Sequence, residues 1–385
     1  MKHLYVHVPF CRSRCAYCDF ASEPIGRHVR AGRVERYLDT LREELSNRVT
    51  AQGVDAADAG AELFETIYVG GGTPTILPAE ALVALAQDLA RLLCCPQHVG
   101  PDPREAVTPE FSVETNPGTI DAILLERLAH AGVTRLSLGV QSFSPALRAA
   151  LGRRVAQREI EDALAAIAAA GWREWNLDLV FGIPGQDWPE AVADIDAAVA
   201  SGPTHISLYD LTYTSAFAAG IDATFGTGAR AAAGAFAEQH YSEAVGRLEA
   251  AGYYRYEVSN FALPGHECRH NQAYWRGEDY LGVGAAAVST IGGERRANAR
   301  SVSEYLARRP AEVEALSPST RLWEKAMLGL RTSEGVEEAA ILPVLDVTVR
   351  DRLLSQGCLV RCCGRLRLNK GFLDTSNTVI SALLA

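Results

Sequence analysis

The chain has 385 residues, 48% of them hydrophobic, and a formal net charge of -10. This length and apolar content provide for one large core and a smaller unit, while the acidic balance argues against binding to phosphate backbones, so nucleic acid is not an expected partner. There is no run of about 18 apolar residues to enter a membrane, and the first residues lead directly into a candidate strand rather than a secretory signal. The nine cysteines, odd in number and unevenly spread, do not suggest a disulfide framework, so a reducing cytoplasm is the expected setting.

The first predicted strand is His3 to Val8, where Leu4, Val6 and Val8 alternate with Tyr5 and His7. It runs into Pro9-Phe10-Cys11-Arg12-Ser13-Arg14-Cys15-Ala16-Tyr17-Cys18-Asp19-Phe20. Cys11, Cys15 and Cys18 are open to three readings. Their i, i+4, i+7 spacing could line one face of a helix. They could bind zinc, although no second CxxC follows. They could instead hold three irons of a [4Fe-4S] cluster and leave the fourth open to an exchangeable ligand. Arg12, Arg14 and the preceding strand favour the cluster.

A helix is predicted from about Arg33 to Val49, with Val34, Tyr37, Leu38, Leu41 and Leu45 on one face. Ala51 to Gly60 reads as a connection. The strand Glu65 to Val69 follows and ends in Gly70-Gly71-Gly72-Thr73-Pro74-Thr75. Such a glycine run lets the backbone approach a ligand, or simply makes a tight turn. The pattern then repeats. A helix from Pro78 to Leu93 and a polar insertion through Val107 precede the strand Phe111 to Val113, which ends in Glu114-Thr115-Asn116-Pro117-Gly118. The strand Arg135 to Val140 ends at Gln141, and an Ala-rich helix spans Glu159 to Ala170. The strand Trp175 to Phe181 carries Asp178, and a helix near Ala191 to Ala200 leads to the strand His205 to Tyr209.

Strands alternating with helices predict a parallel sheet with right-handed crossovers, and six such units fit an incomplete (β/α)6 TIM-like barrel. In barrels the chemistry sits at the C-terminal strand ends. The cysteine loop, the glycine run, Glu114, Gln141 and Asp178 are therefore expected to converge on one mouth. Taken singly, the last three could equally be caps at strand-to-helix junctions. We expect the chain to divide into a barrel over 1–225, a connecting segment over 226–312, and a small C-terminal α+β module over 313–385. In that module, helical patterns near Arg321 to Leu330 and Val347 to Leu354 precede strands around Leu359 and Leu366 and a last helix from about Asn377. The adjacent pairs Cys94-Cys95 and Cys362-Cys363 have neither cluster nor zinc spacing.

Cys11-x3-Cys15-x-Tyr17-Cys18 resembles the signature of the radical SAM proteins. In that superfamily three cysteines bind a [4Fe-4S] cluster and S-adenosylmethionine chelates the fourth iron. The resemblance implies that Tyr17 lies near the adenine and that Gly71, Gly72 and Thr73 contact the methionine part. Leu4 to Cys11, Tyr17 to Phe20, Asn176 to Gln186 and His205 to Tyr209 narrow it to the coproporphyrinogen oxidase group, which includes the oxygen-independent oxidase and the radical SAM haem chaperones. This implies a cofactor site lined by Tyr5, Gly71, Gly72, Thr73, Glu114, Gln141, Arg153 and Asp178, and a winged-helix-like C-terminal module.

Two features separate the siblings. The oxidase has a longer N-terminal arm and a fourth cysteine where this chain has Phe20. His270-Asn271-Gln272-Ala273-Tyr274-Trp275 is similar to the His-Asn-x-x-Tyr-Trp motif of the chaperones. That motif suits a porphyrin, with imidazole as an axial ligand of haem iron and flat faces on Tyr274 and Trp275. Its residues could also form a surface loop packed on the barrel, and Cys268 is a conceivable ligand beside it. The chain departs from the group at Val155 and Val288, where relatives carry His, and at Thr214, where they carry Glu. The resemblance implies a cytoplasmic chaperone that binds the cluster, S-adenosylmethionine and haem, and delivers haem to an acceptor protein. The alternative is an oxidase-like radical enzyme that decarboxylates a tetrapyrrole and needs an electron donor. The sequence names neither the acceptor nor the oligomeric state.

Overall fold

The computed structural model describes residues 2–26, 32–51, 63–93, 97–98, 106–107, 109–213 and 215–384. Residues 52–60 of the expected connection, the pair Cys94-Cys95, and Thr214 lie outside them. Six parallel strands form the centre: β1 (His3–Val8), β2 (Thr66–Gly71), β3 (Glu110–Thr115), β4 (Arg135–Gln141), β5 (Trp175–Phe181) and β6 (His205–Asp210). Each begins within two residues of its sequence expectation. Residues of these strands are mostly buried on both faces, as expected of a parallel sheet flanked by helices.

The sheet continues past these six. β7 (Tyr254–Arg255) and β8 (Asn260–Ala262) extend it beyond β6, and β9 (Tyr280–Val283), β10 (Val288–Ile291), β11 (Glu294–Ala297) and β12 (Glu312–Ala315) extend it beyond β1. The order is β7-β8-β6-β5-β4-β3-β2-β1-β9-β10-β11-β12, so the partial barrel is not closed. β9 pairs in parallel with β1, with His3 opposite Tyr280. This pairing brings the stretch around residues 270–283 beside the N-terminus, a contact that no local pattern announces.

The helices bury the faces their spacing predicts. α1 (Arg33–Thr50) turns Val34, Tyr37, Leu38, Leu41 and Leu45 inward, and the Tyr37 hydroxyl donates to the His7 carbonyl at 2.8 Å. Beyond the large sheet, the helices Pro318–Gly329, Val347–Ser355 and Ser376–Leu383 pack with a three-stranded sheet around a second buried cluster that includes Leu330, Ile341, Leu366 and Leu383. No helix among the described residues is long and apolar enough to cross a membrane.

Candidate functional site

The cysteine run is a loop after β1, not a helix, which removes the helix-face reading. Four backbone bonds clip it in place. Glu23 N–H donates to the Pro9 carbonyl at 2.7 Å, Ala16 N–H to Leu151 at 3.1 Å, Gly72 N–H to Val8 at 2.9 Å and Thr73 N–H to Phe10 at 2.7 Å. The last two join the glycine run to the start of the loop. Gly71 has φ +105°, and a Cβ there would lie 2.3 Å from the His7 ring; one on Gly72 would lie 2.6 Å from the Phe10 carbonyl oxygen. The absence of side chains is thus a steric requirement at both positions. His7 is itself a clamp: its Nε2 donates to the Ala21 carbonyl at 2.9 Å, leaving Nδ1 to accept from the Tyr5 hydroxyl at 3.0 Å.

Below the loop lies a cavity of about 400 Å³ along the barrel axis. Cys11, Cys15, Cys18, Tyr17, Gly71, Gly72, Thr73, Glu114, Gln141, Arg153 and Asp178 all line it. Four other expected residues do not. Tyr5 sits behind Tyr68, stacked on it at 6.3 Å, and lines a second cavity of about 680 Å³ together with Tyr274. His270 and Trp275 line neither cavity. Of the three departures from the family pattern, Val155 lines the axial cavity while also packing against the core, and Val288 lines the second cavity.

A polar chain joins two of the thiols. Arg153 Nη2 donates to Asn116 Oδ1, which fixes the amide orientation. Asn116 Nδ2 therefore donates to Thr73 Oγ1 at 2.7 Å, and the Thr73 hydroxyl is left to point at Cys11 Sγ, 3.6 Å away. Arg153 Nη1 lies 3.8 Å from Cys15 Sγ. Asn116 is a site residue that the motif analysis did not single out, although it stands in the quoted run at the end of β3. Gln141 has φ +75°, a strained value for a residue with a side chain, at a register shift where β4 pairs with β5. Strain of this kind clusters at functional sites.

The carboxylates are held in a demanding state. Burial, with the nearby Asp178 charge, pushes Glu114 up to about 7, even though it accepts from Gly71 N–H at 2.9 Å and the Tyr68 hydroxyl at 3.0 Å. Burial also raises Asp178, against donation from Asn176 Nδ2 at 2.6 Å. Desolvation raises the Cys11 and Cys18 thiols too. Two acids and two half-buried thiols around one cavity form a set that cationic partners would stabilise.

The opposite end of the barrel is closed by α2 (Arg269–Trp275), the helix that carries the His-Asn-x-x-Tyr-Trp residues. It lies across the first residues of β2 and β3. The Glu110 carboxylate accepts from Arg269 N–H at 3.0 Å and His270 N–H at 2.9 Å, with Cys268 Sγ at 3.4 Å. Burial and this carboxylate push the Cys268 thiol up to about 12. Asn271 and Cys268 line the floor of the axial cavity. His270 is 1% exposed, and burial lowers it to about 3. Five residue steps along β2 separate Thr66, beside His270, from Gly71 at the mouth, roughly 17 Å.

The chain matches the family profile described as Radical SAM superfamily over residues 5–198. It is 35% identical over 365 residues to the heme chaperone HemW of Synechocystis, covering 91% of this chain and 82% of that protein. It is 33% identical to the HemW of Bacillus subtilis over 88% of this chain and 85% of that one. Its structure is similar to coproporphyrinogen III oxidase (HemN) from Escherichia coli, with TM-score 0.75, 21% identity, and coverage of 99% and 89% of the two chains, a likeness of fold. The fold and the matched residues thus define a radical SAM protein. Within that superfamily the chain belongs to the HemW heme chaperone family.

The residues present fit a [4Fe-4S] cluster and its nucleoside partner. Among the described residues, no three of His, Cys, Asp and Glu are grouped to ligate a single ion. In a cluster each thiolate takes a different iron. Gly71 and Gly72 admit no side chain at the mouth, and Arg153 Nε is buried without a partner there.

Proposed function

We propose that this chain carries haem as a chaperone and that its barrel also holds a [4Fe-4S] cluster and S-adenosylmethionine. The observation that carries this reading is that one cavity joins both halves of the machinery. Its mouth holds the three thiols, and its floor is Asn271 of the chaperone-type motif. Curated relatives named heme chaperones, at 33–35% identity over most of the chain, support the haem half.

In this reading Cys11, Cys15 and Cys18 would hold the cluster and leave one iron open for the methionine amino and carboxylate groups to chelate. Gly71 and Gly72 let the backbone approach that end, and Thr73 orients Cys11. Arg153 offers charge-assisted donation to a carboxylate. Glu114 and Asp178 accept from hydroxyl or ammonium groups, Gln141 reaches the same space, and Tyr17 packs beside the adenine with its own hydroxyl kept protonated by burial. Tyr274 and Trp275 supply flat faces for the porphyrin, and Tyr5 backs the Tyr68 wall. A reducing cytoplasm would keep the cluster thiols available, and the acceptor would be a haem-requiring protein.

The test sets carriage against turnover. Reconstituted protein loaded with haem is mixed anaerobically with an apo-haemoprotein, and transfer is followed by the Soret shift. In parallel, the protein is given coproporphyrinogen III, S-adenosylmethionine and a reductant. Transfer without release of carbon dioxide is the expected result. Sustained carbon dioxide release would overturn the chaperone reading in favour of the oxidase-like enzyme.

A further inference from the structure

His270 stands at the end of a buried hydrogen-bond chain whose direction follows from its members. His3 Nε2 lies 2.9 Å from Glu278 Oε2, His3 Nδ1 lies 2.9 Å from Thr66 Oγ1, and Thr66 Oγ1 lies 2.7 Å from His270 Nδ1. His3 comes from β1, Thr66 from β2, His270 from the start of α2 and Glu278 from the loop after it, with hydrogen-bonded pairs separated by 63 to 275 residues in sequence. His3 and Thr66 are buried at 5% and 1% exposure.

Proton counting orients the chain. The Glu278 carboxylate, held below its usual range by the His3 hydrogen bond, only accepts. A singly protonated His3 must therefore place its hydrogen on Nε2, because a bare Nε2 would set lone pair against lone pair. His3 Nδ1 is then an acceptor and takes the single hydroxyl hydrogen of Thr66. The Thr66 oxygen in turn accepts, so His270 donates from Nδ1. The hydrogen of a neutral His270 is thereby used, and its Nε2 carries a lone pair. That atom has no hydrogen-bond partner. Burying an unmatched acceptor is unfavourable, and orphans of this kind call for an explanation such as a missing ligand.

We infer that Glu278, His3 and Thr66 are positioning residues that lock His270 in the Nδ1–H tautomer and hold its Nε2 free for a ligand that binds through a nitrogen lone pair. This rests on the haem reading above, since an iron porphyrin is such a ligand, and ligating histidines characteristically donate their other N–H to a fixed partner. The ring lies immediately behind both cavities. Tyr68, stacked on it at 5.3 Å, lines the axial one, and Tyr274, edge-on at 5.0 Å, lines the second.

The test starts with the haem-free full chain. Long-range ¹H–¹⁵N correlation of the imidazoles, assigned with His270→Gln, reads the tautomer directly. The expected wild-type result is Nδ1–H with a bare Nε2. Thr66→Val should convert His270 to a mixture or to Nε2–H, and Thr66→Ser should restore the wild-type pattern. Glu278→Ala, at a partly exposed position that leaves the core packing intact, should relax it partially even if Thr66→Val fails to fold. Nε2–H in the wild type, as a doubly protonated His3 would impose, overturns the inference, as does a pattern unchanged in both Thr66→Val and Glu278→Ala. A haem titration then separates the two levels. Affinity reduced about tenfold in Thr66→Val and retained in Thr66→Ser supports the positioning role, and equal affinity in all three overturns it. Absence of haem binding by the wild type overturns the haem reading, while the tautomer result still judges the relay.

Discussion

The two ends of the barrel solve opposite problems. The mouth is made of loops and carries half-buried thiols, two carboxyls raised by burial, and a buried Arg153 Nε without a partner. The floor is made of strand starts and one short helix, and its polar atoms are paired across long sequence distances: Glu110 with α2, Thr66 with both His3 and His270. There the conspicuous exception is His270 Nε2. Raised carboxyls and half-buried thiols gather at the mouth, whereas among the described residues the floor is held largely by paired polar groups. The contrast suggests that unmatched atoms in a buried network mark ligand positions better than exposed polar residues do.

This contrast breaks most completely at the mouth. Cys15→Ala should abolish the cluster's visible absorbance after anaerobic reconstitution while leaving the far-UV circular dichroism unchanged, because the loop is held by backbone bonds rather than by the thiol. A retained cluster spectrum would sink the three-cysteine assignment.

Glu114 sharpens the comparison through pH. Its carboxyl sits near 7 in the fold against an ordinary 4.5, so the fold favours the neutral form. The stabilisation from this group is fully present below about 4.5 and is lost as pH rises through 7, a change of roughly 3 kcal/mol. Glu114→Gln keeps an acceptor for Gly71 N–H and removes the titration. Urea unfolding of the cofactor-free protein at pH 5 and pH 8 should show the variant gaining on the wild type at the higher pH. An equal gap at both values would mean that Glu114 is not held neutral.

Gly71→Ala should cost at least about 1–3 kcal/mol, since the side chain must adopt a left-handed backbone and displace the His7 ring; thermal unfolding would register it, together with loss of S-adenosylmethionine binding by calorimetry. The smallest effect belongs to the floor. Glu110→Gln keeps one acceptor for the two helix N–H groups and loses the other, about 1–1.5 kcal/mol. It should weaken haem binding while leaving calorimetric binding of S-adenosylmethionine intact. Equal weakening of both ligands would mean that the two ends are not separable.

The mouth was legible in the sequence because each strand ends in its own chemistry. Cys11, Gly71, Glu114 and Gln141 stand at or just after the ends of short β runs and Asp178 within one, and a parallel sheet brings such ends together. The floor was not. His270 reads locally as part of an aromatic loop, and only the parallel pairing of β9 with β1 brings its helix against Thr66 and His3. Glu110 starts a strand, where a carboxylate ordinarily faces water, and its role as acceptor for a helix 160 residues away has no local signal. Asn116 was visible as a residue, but its part in directing Thr73 toward Cys11 depends on Arg153 fixing the amide. Tyr5 was misplaced by one layer, because alternation along β1 gives its face but not the Tyr68 ring in front of it.

The most direct test of the chaperone account is an anaerobic haem titration of cluster-reconstituted protein, following the Soret band in wild type, Cys15→Ala and His270→Ala. The account predicts saturable one-to-one binding in the wild type and at least tenfold weaker binding, with an altered Soret maximum, in His270→Ala. Absence of saturable binding in the wild type, or a His270→Ala curve and spectrum that superimpose on it, would contradict the account.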